Sequence, residues 1–116
     1  MITIHGLKNC DTCRAALKWL QSEGLAHQFS DVRKDGVSEA DMKAWVASLG
    51  WEALLNRRGT TWRGLSDVDK DGVDEAKAVK LMLEYPALIK RPVFDLDGTY
   101  LVGFKDEQKS VLSTGQ

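Results

Sequence analysis

Ile2-Thr3-Ile4-His5-Gly6-Leu7-Lys8-Asn9-Cys10-Asp11-Thr12-Cys13-Arg14 runs from a strand through a short turn into a cysteine pair. The β-branched stretch Ile2–His5 reads as a strand, and Gly6 ends it. Cys13, Ala16, Leu17 and Leu20 then recur at i, i+3, i+4 and i+7, one apolar face of a helix. Gly24 is well placed to cap that helix in the left-handed conformation. His27 to Val32 reads as a second strand with Phe29 inward. A helix joining two short strands this closely predicts a parallel, right-handed βαβ unit.

The position of the cysteines matters more than their spacing. A cysteine at a helix N-terminus faces unpaired backbone N–H groups and the positive end of the helix dipole. Both favour the thiolate, which is the nucleophile. Lys8 and Arg14 add positive charge, and Asp11 opposes it. Cys10 is expected as the exposed attacking thiol. Cys13, one turn on, is expected to be partly buried, where it can resolve a mixed disulfide. Three other uses of the pair carry less weight. His5 and His27 lack the ligand spacing of a zinc site, so no metal is expected. A structural disulfide is disfavoured in a reducing compartment, and inert core thiols fit the strand–CxxC–helix context poorly.

Beyond the βαβ unit the pattern turns helical. Ser38 can cap a helix, with Met42, Trp45, Val46 and Leu49 at helical spacing and Gly50 ending the run. Trp51 to Leu55 reads as one more turn, and Asn56 to Leu65 as a basic loop. Asp67-Val68-Asp69-Lys70-Asp71-Gly72 begins like a calcium loop, but Ala78 stands where a bidentate Glu is needed. An Asp-Gly turn is expected there instead. A helix follows from Asp74 with Val79, Met82 and Leu83 as its core face, stopping before Pro86. Pro92 to Leu96 and Thr99 to Val102 read as strands joined by Asp97-Gly98, a strong type I′ hairpin signal. Lys105 to Leu112 reads as a terminal helix.

Lys90-Arg91-Pro92-Val93 is the second informative stretch. A proline at a strand start costs no ladder hydrogen bond, and an Arg-Pro bond is open to the cis form. Beside a redox CxxC, such a proline is expected to bring backbone near the reactive cysteine to pair with a peptide-like substrate. Arg57, Arg58, Arg63, Lys90 and Arg91 supply two basic loops. Their guanidinium forks suit carboxylates and oxyanions.

Composition excludes several classes. The chain has 116 residues, 43% hydrophobic and 28% charged, which fits one globular domain rather than a disordered or fibrous chain. Lys+Arg number 16 against Asp+Glu 17, net −1, so no global basic field exists to hold nucleic acid or an anionic membrane. No run approaches the roughly 18 apolar residues of a membrane span, and the N-terminus lacks a signal-peptide layout. A cytoplasmic location is expected, and a monomer is the default.

Three stretches carry a family resemblance: Asn9-Cys10-Asp11-Thr12-Cys13-Arg14-Ala15-Ala16, then Leu54-Leu55-Asn56-Arg57-Arg58-Gly59-Thr60-Thr61-Trp62, then Pro86-Ala87-Leu88-Ile89-Lys90-Arg91-Pro92-Val93. In this order they resemble the arsenate reductase (ArsC)/Spx family, and the middle stretch looks closest to its small YffB-like branch. The resemblance covers nearly the whole chain. It implies an α/β, thioredoxin-like fold with a mixed four-stranded sheet and a helical insertion between strands 2 and 3. The thioredoxin-like parts would be about 1–36 and 88–116 and the insertion about 37–87, within one domain over 1–116.

The resemblance also implies roles. Cys10 matches the family's nucleophile, and Arg91 the arginine before its cis-proline, Pro92. Arg57 or Arg58 matches a second arginine, with the register between them open. A third arginine of the glutathione-coupled arsenate reductases has no counterpart in Leu101-Val102-Gly103-Phe104, which weighs against arsenate turnover. The implied activity is a glutathione-dependent thiol–disulfide reductase. Cys10, Cys13 and Arg91 would be catalytic, and Arg57, Arg58, Arg91 and Pro92 would bind the substrate or glutathione. Glutathione would be a co-substrate, with no tightly bound cofactor. Arsenate reduction is the first alternative. A redox-sensing regulator of the Spx type, binding RNA polymerase, is the second.

Overall fold

In the computed structural model, which describes residues 1–114, the elements in chain order are β1 (Ile2–Gly6), α1 (Asp11–Ser22), β2 (His27–Asp31), α2 (Glu39–Leu49), α3 (Trp51–Leu54), α4 (Thr60–Arg63), α5 (Asp67–Lys70), α6 (Glu75–Glu84), a 3-10 turn (Pro86–Leu88), β3 (Val93–Asp95), β4 (Tyr100–Val102) and α7 (Asp106–Thr114). They form two compact units: Met1–Asp35 together with residues 91–114, and Gly36–Lys90.

The first unit carries the sheet, in the order β2-β1-β3-β4. β1 pairs parallel to β2 and antiparallel to β3, and β3 pairs antiparallel to β4. This is the expected α/β, thioredoxin-like arrangement, with the helical segment inserted in the chain between β2 and β3. Burial alternates along β1 because successive strand side chains point to opposite faces: Ile2, Ile4 and Gly6 are buried, Thr3 and His5 half-buried. Ile2 and Ile4 pack in one core with Ala16 and Leu20 of α1, Phe94 of β3 and Leu112 of α7. Burying each of the large side chains fully contributes about 1.5–3 kcal/mol. Trp19 meets Phe104 edge-on, with ring centroids 5.7 Å apart, and the Lys109 ammonium sits 4.9 Å from the Phe104 ring. The hairpin closes as its sequence predicts. Asp97 and Gly98 both have positive φ, 56° and 103°, and Leu96 N–H donates to the Thr99 carbonyl at 2.7 Å.

In the second unit, the Ser38 hydroxyl accepts from Asp41 N–H at 3.0 Å and starts α2, which buries Met42, Trp45 and Val46. The Asp74 carboxylate likewise accepts from Lys77 N–H at 2.9 Å and starts α6. The buried face of α6 is Ala78, Leu81 and Met82. Val79 and Leu83, expected in the core, are half-buried; Val79 lines a surface cavity of about 450 Å³ with Val46 and Ala47 of α2 instead of being closed over. The expected loop over 56–65 contains one helical turn, α4, closed by Gly64 N–H to the Thr60 carbonyl at 2.9 Å. The calcium-like segment also begins with a helical turn, α5, started by Ser66. The Lys77 ammonium donates to the Val68 carbonyl at 2.6 Å and to the Asp71 carbonyl, so a lysine holds that loop together. Among the described residues no cluster of His, Cys, Asp or Glu could hold a metal ion, and no helix is long and apolar enough to cross a membrane.

Candidate active site

β1 and β2 end side by side. Gly6 pairs with Asp31, and Val32 N–H donates to the Gly6 carbonyl at 2.9 Å. The chain leaving β1 then turns tightly, with Cys10 N–H donating to the Leu7 carbonyl at 3.1 Å. Arg14 N–H reaches the Cys10 carbonyl at 3.0 Å, which makes Cys10 the N-cap of α1, at φ −90° and ψ 121°. The short turn leaves no room for another capping residue, so the strand delivers the first cysteine to the positive end of the helix.

Both cysteines are free thiols, Cys10 half-buried and Cys13 fully buried. Sequence reasoning expects Cys13 only partly covered. Its burial is complete because it shares the face of α1 that carries Ala16 and Leu20, and because it packs under Gly6. A Cβ built on Gly6 would lie 2.5 Å from the Cys13 sulfur and 3.4 Å from its Cβ. The missing side chain at Gly6 is therefore what admits the second thiol. The available signal was a glycine standing where the Ile2, Ile4 alternation calls for a large apolar residue.

The sheet register brings Arg91 to the same place. His5 pairs with Val93, so continuing the antiparallel ladder sets Arg91 opposite the turn that follows β1. The Arg91-Pro92 peptide is cis, and the Pro92 carbonyl accepts from Gly103 N–H at 2.9 Å. The Arg91 side chain hydrogen-bonds the Cys10 sulfur.

The two thiols are driven apart in acidity. Partial burial pushes Cys10 up, but the Cys13 amide, the Cys13 thiol and the Arg91 guanidinium together outweigh it and hold Cys10 below the ordinary thiol range. The neutral thiol makes no capping hydrogen bond; these donors act on the anion that forms there. Burial dominates at Cys13 and pushes it up to about 11. The Leu7 backbone and the Arg91 charge oppose the rise, and the neighbouring Cys10 adds to it. One thiol is thus poised as the anion and the other kept as a proton-bearing donor to it. Arg14, expected to assist Cys10, is paired instead with Asp11.

Arg57 and Arg58 lie in the Gly36–Lys90 unit, on the segment between α3 and α4. Arg57 stacks 5.8 Å from the centre of the Trp51 ring. Arg58 N–H donates to Asn56 Oδ1 at 3.1 Å, and its carbonyl accepts from the Arg63 guanidinium at 3.0 Å. Both arginines, with Lys90, Glu52 and Leu55, line one pocket of about 350 Å³.

Known proteins resemble this chain over most of its length. The chain is similar to the YFFB (PA3664) protein, at 40% identity over 98% of this chain and 100% of the other, with a TM-score of 0.93. It is similar to an arsenate reductase (ArsC) related protein from Brucella melitensis, at 42% identity over 95% of this chain and 92% of that one, with a TM-score of 0.77. It is also 24% identical to the global transcriptional regulator Spx of Enterococcus faecalis, over 93% of this chain and 83% of the regulator. The ArsC family model matches residues 5–111. A match that begins near the end of β1 and ends in α7 takes in the cysteine turn and strands β2, β3 and β4, and the chain belongs to the ArsC family.

Proposed function

We infer that the protein is a cytoplasmic thiol–disulfide oxidoreductase that draws its electrons from glutathione. One observation carries the reading. At the N-terminus of α1, Cys10 is held below the ordinary thiol range beside Arg91, while its neighbour Cys13 is pushed up to about 11.

The Cys10 thiolate attacks one sulfur of a disulfide R–S–S–R. A Cys10–S–S–R bond forms, the original S–S bond breaks, and RS⁻ leaves. The negative charge on Cys10 is then gone, and with it part of what kept Cys13 protonated. Cys13 gives up its proton and attacks the Cys10 sulfur, releasing the second RS⁻ and leaving a Cys10–Cys13 disulfide. Two glutathione thiols reduce that disulfide and become oxidised glutathione. Arg91 offsets charge at the reacting sulfur, and Arg57, Arg58 and Pro92 take part in holding glutathione or substrate.

The test is disulfide-dependent NADPH oxidation through glutathione reductase, with wild type, Cys10→Ser and Cys13→Ser. The expected result is turnover that Cys10→Ser abolishes; full activity in that variant overturns the assignment. Loss in Cys13→Ser supports the two-thiol route, and retention means that a second glutathione resolves the intermediate.

Similarity to an arsenate reductase related protein favours a second reading, in which Cys10 attacks arsenate. The stretch Leu101–Phe104 offers no arginine for it. Running the same assay with arsenate decides between them. Absence of turnover with either substrate, from folded protein whose thiols still oxidise reversibly, would move the reading to a redox regulator similar to Spx.

A further inference from the structure

We propose that the cleft beside Cys10 selects disulfides bearing carboxylates on the half that the cysteine attacks. This rests on the disulfide-reductase reading and names its substrate class.

Because β1 and β2 are parallel, both C-terminal ends open on one edge of the sheet. The chain leaving each builds one wall of a cleft of about 360 Å³, lined by Leu7, Lys8, Asn9, Asp31, Arg33 and Lys34. That volume is within the usual range for small-ligand sites. Asn9 is bonded to Cys10, and Lys8 is two residues away, so their Cα atoms lie within about 7 Å of the cysteine's.

Three of the lining side chains are exposed cations. None of the three closes an ion pair among the described residues. The one lining carboxylate, Asp31, is bound into the turn and stays ionised beside Lys8 and Arg33, offsetting one of the three positive charges. Asp31 Oδ1 accepts from Arg33 N–H and Lys34 N–H, both at 2.9 Å, while Asp35 accepts from Asp31 N–H at 3.0 Å. The two carboxylates are held against backbone, whereas the ammonium and guanidinium heads are on long, mobile stems. In a chain of net charge −1, this is a local positive site beside the nucleophile. It acts on the first step, in which the Cys10 thiolate forms Cys10–S–S–R and releases RS⁻. A carboxylate on R raises the local concentration of the disulfide and seats it while the bond forms.

Each cation–carboxylate pair at about 8 Å in water is worth about twofold in rate. Three cations, each acting on the one carboxylate of the half that Cys10 attacks, give about five- to tenfold. The test is stopped-flow reaction of the reduced protein with three small disulfides of similar size: dithiodiglycolate (dianion), hydroxyethyl disulfide (neutral) and cystamine (dication). Each rate is divided by that of iodoacetamide alkylation of Cys10 in the same variant, which corrects for thiolate content.

In the triple variant Lys8→Gln/Arg33→Gln/Lys34→Gln, the ratio of dithiodiglycolate to the neutral hydroxyethyl disulfide is expected to fall about five- to tenfold at about 20 mM salt. Wild type at about 1 M salt is expected to match it, since screening there shortens to about 3 Å. Lys18→Gln, an exposed lysine further along α1, is expected to leave the ratio unchanged. An unchanged ratio in the triple variant overturns the proposal while leaving the reductase reading standing. Failure of Cys10 to react with any of the three disulfides overturns that reading, and the proposal with it. A glutamate-flanked peptide disulfide, compared with oxidised glutathione, then shows whether the carboxylates come from a protein or a small molecule.

Discussion

Gly6→Ala tests the link between the strand and the second thiol. The added Cβ would sit 2.5 Å from the Cys13 sulfur, 3.4 Å from its Cβ and 3.6 Å from Phe29 Cε1. Nonbonded carbon contacts are optimal near about 3.5–4.0 Å, so the sulfur and the new methyl must separate by more than about 1 Å. Neither side yields easily. β1 is paired on both edges, and α1 is anchored by the fully buried Ala16 and Leu20. Overpacking of this kind costs about 1–3 kcal/mol. Restricting the unfolded chain by replacing glycine offsets about 0.4–1 kcal/mol of it.

The net expectation is a loss of about 1–2 kcal/mol, or a Tm lower by about 4–8 °C for a chain of this size. Cys13→Ala removes the sulfur and leaves a tolerable 3.4 Å contact. In that background Gly6→Ala should therefore cost almost nothing, with a coupling of about 1–3 kcal/mol. The assay is urea and thermal unfolding of the four proteins by circular dichroism, under excess reductant so that no disulfide forms. An equal cost of Gly6→Ala in both backgrounds, or none in either, would refute the close-packing argument.

Other consequences follow from the same geometry. The rate of Cys10 alkylation by iodoacetamide should show a pH midpoint below the ordinary 9.0, and Arg91→Gln should move it upward; an unmoved midpoint would remove Arg91 from thiolate stabilisation. Stability of the reduced protein should rise with pH from the lowered Cys10 midpoint up to 9.0, because the unfolded thiol there still binds its proton. Between 9.0 and about 11 the Cys13 contribution reverses the slope, since the unfolded thiol ionises first. Urea midpoints of Cys13→Ala against wild type isolate that fall, which the variant should lack. Gly98→Ala places a side chain at φ 103° in the hairpin and should cost about 1–2 kcal/mol, whereas exposed Asp97→Asn, which tolerates the left-handed region, should cost less than about 1 kcal/mol. Leu112→Ala in the first-unit core should cost about 2–5 kcal/mol, measured by denaturant unfolding.

Much of the fold was legible because it depends on local rules. The β-branched run at Ile2, the spacing of Ala16 and Leu20, the Ser38 and Asp74 caps and the Asp97-Gly98 turn all act within a few residues of themselves. The misreadings share a different cause. Val79 and Leu83 are as apolar as Leu81 and Met82, so periodicity alone does not say which of them the fold closes over. The helical turns α4 and α5 are four residues each, too short for a hydrophobic period to register.

The candidate site divides along the same line. Sequence by itself determined that Cys10 would cap a helix after a strand, since strand, turn and helix are contiguous there. It also marked Arg91 and Pro92, through the motif and the family resemblance. Only the tertiary structure decided that Arg91 reaches the Cys10 sulfur, because that contact depends on the β1–β3 register across some 80 residues of chain. Only the tertiary structure decided that Cys13 is fully buried under Gly6, because a missing side chain is read by what packs into its place. The Lys8, Arg33 and Lys34 cleft likewise forms where two parallel strands end together. Short-range chemistry is written along the chain, whereas the acidity of a thiol is set by whatever the fold sets around it.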